Sequence, residues 1–206
     1  VYGDQDIQPI KETVVLSPKS VYAQTKKLSE ELIEKQTQTD KIKAISLRYF
    51  NPIGAHEDFV ITDNIDDVRG NIMTMLIRVA MGFEEKLNIF GDDYPTADGT
   101  GERDYIHLND IVDGHFKALE KLELIDEYEV YNLGTGSYAS VLELIQTLEK
   151  VNGLKIDYKI TSRRPGDLAR SYADPSKANA ELNWEARYNL ETMCKDAWEA
   201  IKNGFN

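Results

Sequence analysis

An α/β fold is expected, because stretches with the apolar period of a helix alternate along the chain with short apolar runs of strand length. The run from Lys43 to Asn51, ended by Pro52-Ile-Gly54, is the clearest of these and reads as a buried strand. Internal repeats and low-complexity tracts are absent from the sequence, which leaves that alternation as the organising pattern.

Taken in order, residues 4–19 hold two prolines and few apolar positions in register, and read as loop. Residues 20–38 read as a helix, with Ser20 as N-cap and Leu28, Leu32 and Ile33 along one apolar face. The strand occupies residues 42–50. Residues 52–69 are irregular and carry five acids, Glu57, Asp58, Asp63, Asp66 and Asp67. That length suits a functional or domain-crossing loop, and the acids lack the spacing of a calcium loop. Residues 71–81 read as a helix with Ile72, Met75, Leu76 and Val79 inward, closed by Gly82. A short strand at 87–90 precedes a loop at 91–102 with three glycines and one proline.

Residues 104–107 read as a strand, and Asn109 as the cap of a helix to Leu122 whose inward positions are Ile111, Val112, His115, Phe116 and Leu119. A strand at 129–133 runs into Gly134-Thr-Gly136, a tight turn. Ser140-Val-Leu-Glu143 is a capping box that opens a helix to residue 151. Residues 156–160 alternate as a strand, and Asp174-Pro175 supplies a cap and first-turn proline for a helix to 182. Asn189 caps a last helix that buries Met193, Cys194, Ala197, Trp198 and Ile201.

Composition narrows the classes of function. The 206 residues are 41% hydrophobic, with a mean hydropathy of −0.47, as in a soluble globular protein. No apolar run approaches about 18 residues, so no helical membrane span and no secretory signal is expected. One cysteine, Cys194, allows no internal disulfide and suits a reducing cytoplasm. A net charge of −12 argues against nucleic acid or an anionic membrane as the partner. His56, His107 and His115 lack metal-site spacing, and no metal centre is expected.

Chemistry concentrates in Ser17-Pro-Lys-Ser-Val-Tyr-Ala-Gln-Thr-Lys26. One helical turn separates Tyr22 from Lys26, which puts both on one side of the helix. A phenol, with a reference pKa of about 10, needs help to lose its proton near neutrality. An ammonium one turn away favours the phenolate and makes the tyrosine a usable general acid/base.

Tyr22-x-x-x-Lys26, a helix, a strand and then Arg48-Tyr-Phe-Asn-Pro-Ile-Gly-Ala-His56 together resemble the extended short-chain dehydrogenase/reductase superfamily. Further motifs are similar to those of the UDP-glucose 4-epimerases within it. They are Phe90-Gly-Asp-Asp-Tyr-Pro-Thr, Asp98-Gly-Thr-Gly, Arg103-Asp-Tyr-Ile-His107, Tyr131-Asn-Leu-Gly-Thr-Gly136, Arg163-Arg-Pro-Gly-Asp167 and Tyr172-Ala-Asp-Pro-Ser-Lys-Ala178. The resemblance implies the C-terminal part of a Rossmann-type doubly wound sheet plus a smaller α/β substrate domain. Residues 1–52 and 104–134 would belong to the nucleotide-binding domain, and 53–103 with 135–206 to the substrate domain.

The same resemblance implies NAD as cofactor, a UDP-sugar as substrate, and a homodimer when the protein is full length. Tyr22 would exchange the proton of the sugar 4-hydroxyl, and Lys26 would assist it and bind the nicotinamide ribose. Phe50 would lie beside the nicotinamide. Asn51, Asn71 and Ile72 match sugar and phosphate contacts, and Asn88, Ile89 and Phe90 match the uracil site. Arg103 and Arg164 match the diphosphate-binding arginines, Asp167 a ribose contact, and Ser171 the position that gates the sugar 2-substituent. A guanidinium suits a diphosphate because its planar fork donates two parallel hydrogen bonds.

A glycine-rich dinucleotide fingerprint and a third catalytic Ser or Thr do not occur in these 206 residues, and are expected upstream of Val1. The chain is thus expected to be a C-terminal portion, inactive by itself. Two rivals stand beside the epimerase reading. One is a nucleotide-sugar 4,6-dehydratase or decarboxylase of the same superfamily, the other a non-catalytic UDP-sugar-binding chain.

Overall fold

The computed structural model describes residues 1–5, 7–56, 58 and 71–204. Most of the acidic stretch at 52–69, including Glu57, Asp63, Asp66 and Asp67, lies outside the described residues. The described chain is α/β, with helices α1 (Val21–Asp40), α2 (Ile72–Ala80), α3 (Leu108–Leu122), α4 (Val141–Asn152), α5 (Ser176–Leu182) and α6 (Leu190–Gly204). Among them run β1 (Ala44–Tyr49), β2 (Asn51–Ile53), β3 (Leu87–Phe90), β4 (Glu102–Arg103), β5 (Tyr105–His107), β6 (Tyr128–Leu133), β7 (Ala139–Ser140), β8 (Tyr158–Thr161) and β9 (Arg170–Ser171). Pairing is mostly parallel: β1 with β6, β2 with β5, β3 with β8, and β4 with β9, while β7 adds to β4 antiparallel. Crossover connections through helices force this arrangement.

The single strand expected at 42–50 with Pro52-Ile-Gly54 becomes two, for a hydrogen-bonding reason. Phe50 donates its N–H to the Leu133 carbonyl of β6 at 3.2 Å, and Asn51 donates to the Asp104 carbonyl beside β5 at 3.0 Å. The backbone changes partners between adjacent residues there. Contrary to expectation β1 is only half-buried along its length, and its Tyr49 end is open to solvent.

Caps follow local chemistry. Ser20 accepts from Ala23 N–H, Asn71 from Thr74, Ser140 from Glu143 and Asn189 from Thr192, as each Ser or Asn side chain at a helix start would. At α3 the expected cap Asn109 is displaced by His107, whose Nδ1 accepts the Asn109 N–H at 2.9 Å. At α5 the cap position falls to Pro175 rather than the expected Asp174 and the helix starts at Ser176, whose N–H donates to Asp174 at 2.9 Å, and β8 begins at Tyr158 rather than 156.

Faces differ more than boundaries. In α3 Val112, Phe116 and Leu119, expected inward, are exposed, and the buried face is Asp110, Ile111, Gly114 and Ala118. The small residues decide this: a Cβ on Gly114 would lie 2.6 Å from Leu133 Cδ1, so the helix can approach β6 closely only along that line. In α2 Met73, Leu76, Ile77 and Val79 are buried, whereas Ile72 and Met75 turn toward a cavity. Trp198 of α6 is half-buried, beside buried Met193, Cys194, Ala197 and Ile201. The apolar face expected on α1 exists but is uncovered by the described residues: Leu28 and Leu32 are 62% and 60% exposed, and Thr37 is the buried residue of that helix.

Two apolar cores result. One joins α2, β3, α4 and α6 around Leu76, Ile77, Leu144, Leu148 and Cys194. The other joins α3, β5, β6 and α5 around Ile106, Tyr131, Leu133 and Trp184. Burial of this kind contributes roughly 1.5–3 kcal/mol per large side chain. Among the described residues, no helix is long and apolar enough to cross a membrane and no cluster of metal-ligating side chains forms.

Candidate active site

Two adjoining cavities of about 470 and 680 Å³ share Asn51, Arg103 and Asp167 in their walls. Tyr22, Lys26, Phe50 and Ser171 line the smaller; Asn71, Ile72, Asn88, Ile89, Phe90 and Arg164 line the larger. Every residue singled out in the sequence therefore lies on one wall or the other, although they come from segments far apart in the chain.

The α1 side is the open one. Tyr22 is 70% exposed, and the Lys26 Nζ lies 5.5 Å from the centroid of its ring. The helical spacing of four and the Ser20 cap are what aim both into the cavity.

Asp104 ties the opposite wall together. Its buried carboxylate accepts from Thr135 N–H at 2.9 Å, Thr135 Oγ1 at 2.7 Å, Gly136 N–H at 3.2 Å and Ala173 N–H at 3.1 Å. Burial pushes its pKa up despite those bonds, since low-dielectric surroundings penalise the charge more than four donors relieve it. Gly134 packs so tightly there that a Cβ would lie 2.6 Å from Asp104 Oδ2. The Asp104 carbonyl accepts both the N–H and the Nδ2 of Asn51 at 3.0 Å, and its own N–H donates to Ser171 at 3.1 Å. In the parallel β4–β9 pair Arg103 stands opposite Ser171. Ser171, not Tyr172, lines the smaller cavity; the Tyr172 ring packs instead on Tyr138 at 5.1 Å.

At the larger cavity the Arg164 guanidinium lies 4.3 Å over the Phe90 ring and donates to Asp167 at 3.0 Å. Asn71 serves as helix cap and cavity wall together. Ile89 differs from its neighbours: its side chain is buried in the core and its carbonyl accepts from Thr161 Oγ1 at 3.1 Å, so Asn88 and Phe90 present the side chains. On a chain of net charge −12, Lys26, Arg103 and Arg164 make this the locally cationic region suited to an anionic ligand.

Several wall residues were not anticipated as site residues, among them the charged Arg48 and Glu30. Arg48 and Glu30 line the smaller cavity and pair across it, and Tyr2 adds a third side. A charge in the middle of the apolar run 43–51 was the signal available for Arg48. Glu30 carried none, because only the fold brings it opposite β1.

The family described as GDP-mannose 4,6 dehydratase matches residues 1–197. The chain is 45% identical over 207 residues to a UDP-glucose 4-epimerase of Bacillus subtilis, covering all of this chain and 61% of that protein. It superposes on a UDP-glucose-4-epimerase of Stenotrophomonas maltophila, solved with bound NAD and formylated UDP-arabinopyranose, with a TM-score of 0.95 and 41% identity. That match covers 100% of this chain and 61% of the other. A Bifidobacterium longum UDP-glucose 4-epimerase, solved in complex with NAD+ and UDP, gives a TM-score of 0.92 at 38% identity, covering 100% of this chain and 62% of that one. The chain thus spans about three-fifths of the length of these relatives. It belongs to the family of nucleotide-sugar enzymes described as GDP-mannose 4,6 dehydratase, in the extended short-chain dehydrogenase/reductase superfamily, and is similar along its whole length to UDP-glucose 4-epimerases.

Proposed function

We propose that this chain supplies the acid/base group and the substrate walls of an NAD-dependent UDP-glucose 4-epimerase. The observation that carries the reading is the Tyr22–Lys26 pair opening into a cavity that continues, through Asn51, Arg103 and Asp167, into an arginine-bearing cavity. Residues 1–52 with 104–134, and 53–103 with 135–206, are the proposed nucleotide-binding and substrate parts. The two separate cores support that division, although α5 and Trp184 pack with the nucleotide-binding part and Tyr105 with the substrate part.

The residues present fit one end of the cofactor. Tyr22 and Lys26 offer donors to a ribose beside Phe50, whereas no glycine-rich turn for a dinucleotide diphosphate occurs in the sequence. NAD, when bound, supplies the hydride acceptor and donor at sugar C4. As the phenolate, Tyr22 takes the 4-hydroxyl proton and returns it after the 4-keto sugar has turned over, with Lys26 stabilising the phenolate that precedes the first transfer and follows the second. Arg103 and Arg164 hold the diphosphate through charge-assisted bonds, so the sugar can rotate while the nucleotide stays fixed. Asp167 accepts from a ribose hydroxyl, and Asn88 to Phe90 receive the uracil. Ser171 leaves room at the sugar 2-position, so N-acetylated sugars are accepted too.

The test is turnover of UDP-glucose to UDP-galactose by the NAD-loaded enzyme containing this chain. Tyr22→Phe is expected to lower it about 100-fold or more while UDP still binds. A 4,6-dehydratase is the second reading, favoured by the matching family description; a dehydrated 4-keto-6-deoxy product would establish it. By itself the 206-residue chain is expected neither to retain NAD nor to epimerise, and its exposed α1 face suits a homodimer or another covering partner. Bound NAD with turnover in the purified chain would refute that part.

A further inference from the structure

We propose that Arg48 holds Glu30 away from Lys26, and so keeps the lysine ammonium available to Tyr22. The inference rests on the reading of Tyr22 as the acid/base group. Tyr22, Lys26 and Glu30 succeed one another at intervals of four along α1 and form one stripe. Lys26 therefore has a phenol one turn before it and a carboxylate one turn after it. Pairing with the carboxylate would draw the ammonium off the phenol and cancel its charge. The helix does form such pairs where nothing intervenes: Lys27 and Glu31, the next residues along, lie 3.6 Å apart.

Glu30 is instead turned to β1. Arg48 Nε donates to its two carboxylate oxygens at 2.9 and 3.2 Å, and Nη2 adds a further short bond to one of them. Lys26 joins no ion pair among the described residues, and its Nζ stays 5.5 Å from the Tyr22 ring centroid. Solvation decides this competition. The Arg48 and Glu30 side chains are 10% and 16% exposed, so a bidentate guanidinium in low-dielectric surroundings outbids a hydrated point ammonium. Arg48 is itself fixed, with its guanidinium 4.8 Å over the Tyr2 ring. Burial works against its charge, but the hydrogen bonds with Glu30 and Tyr2 outweigh that and hold it firmly protonated. The other charged or titratable side chains around Tyr22 in the cavity are Tyr2 and Tyr49, with Arg103 and Asp167 on the substrate side. Of these, Tyr2 also feels Arg48: burial pushes its phenol up and the guanidinium opposes that. Arg48 is missing from the single and the double variant alike, so recovery in the double variant cannot come from Tyr2.

The experiment is the pH dependence of kcat, with KM for UDP-glucose, in the NAD-loaded enzyme containing this chain. Arg48→Met frees Glu30 to capture Lys26. The acidic limb of the profile is expected to move up by about one pH unit, with kcat near neutrality down roughly 10-fold and KM within about two-fold. Removing the competing carboxylate as well, in Arg48→Met/Glu30→Gln, is expected to return the limb to its original position. Arg48→Lys and Glu30→Gln singly should leave the limb in place. A purely structural role predicts the opposite for the double variant, which would be at least as impaired as Arg48→Met. An unmoved limb in Arg48→Met, or no recovery in the double variant, overturns the inference. If Arg48→Met is recovered unfolded by circular dichroism, Arg48→Gln is read in its place, with a smaller shift of the same sign and the same recovery. Tyr22→Phe in the same series separates the two layers. Retained turnover there removes the acid/base reading, whereas lost turnover with no Arg48 effect removes only this inference.

Discussion

Gly54 offers the sharpest test of how the site is held. It closes β2 with φ at 89°, and a Cβ there would lie 2.6 Å from His107 Cδ2 and 2.7 Å from Nε2. The positive φ alone costs an L-residue about 1–2 kcal/mol. His107 cannot step aside, being fully buried and stacked on Tyr188 at 4.1 Å. Its Nδ1 accepts from Asn109 N–H at 2.9 Å, which leaves the proton on Nε2 to be donated to Asp196 at 3.2 Å. Moving the ring breaks at least one of these bonds and strands a buried group, about 1–3 kcal/mol. Gly54→Ala should therefore destabilise by about 2–5 kcal/mol, a large part of a typical total. Urea unfolding followed by Trp184 and Trp198 fluorescence reads this as a midpoint lower by roughly 1–2.5 M, for a slope of about 2 kcal/mol/M. Gly54→Ala/His107→Ala removes the obstacle, so it should cost less than the two single changes added, by more than about 1 kcal/mol. A midpoint change under about 0.5 M, or strict additivity, would refute the reasoning.

Arg164→Ala is expected to weaken UDP binding about 10-fold or more by calorimetry, the usual scale for a lost charge-assisted bond, with a smaller effect on kcat. An equal loss of UDP affinity in Tyr22→Phe would contradict the division of roles. Ser171→Tyr is expected to abolish interconversion of UDP-GlcNAc and UDP-GalNAc while sparing UDP-glucose and UDP-galactose; unchanged activity on both pairs would sink the gate assignment. The His107 pKa is lowered by burial, with Asp196 opposing the shift, so the folded state binds its proton less readily than the unfolded chain does. Its contribution to stability is thus complete above a pH of about 6.5 and is lost as pH falls through the folded pKa. The melting temperature should drop more between pH 7.5 and 5.5 in the unsubstituted chain than in His107→Gln, and parallel drops would argue against this.

What the sequence alone determined about this protein is local. A cap needs only a Ser or Asn within three residues of a free N–H, and Ser20, Asn71, Ser140 and Asn189 all do what their neighbours in the chain dictate. Tyr22 and Lys26 share a helix face for the same reason. Motifs also made the family legible, because each carries several chemistry-bearing residues at fixed spacing. The tertiary structure decided what depends on distant partners. An apolar period cannot say which side of α3 is buried; the fit of Gly114 against Leu133 does, and it leaves Val112, Phe116 and Leu119 outside. Nor can an apolar run show that its backbone passes from β6 to β5 at Phe50, since that switch is made by hydrogen bonds to residues far along the chain. Ser171 meets Arg103 only through the β4–β9 register, and Arg48, visible as a charge in an apolar strand, finds Glu30 only once α1 lies across β1. Contacts between segments distant in sequence set those positions, and no periodicity encodes them.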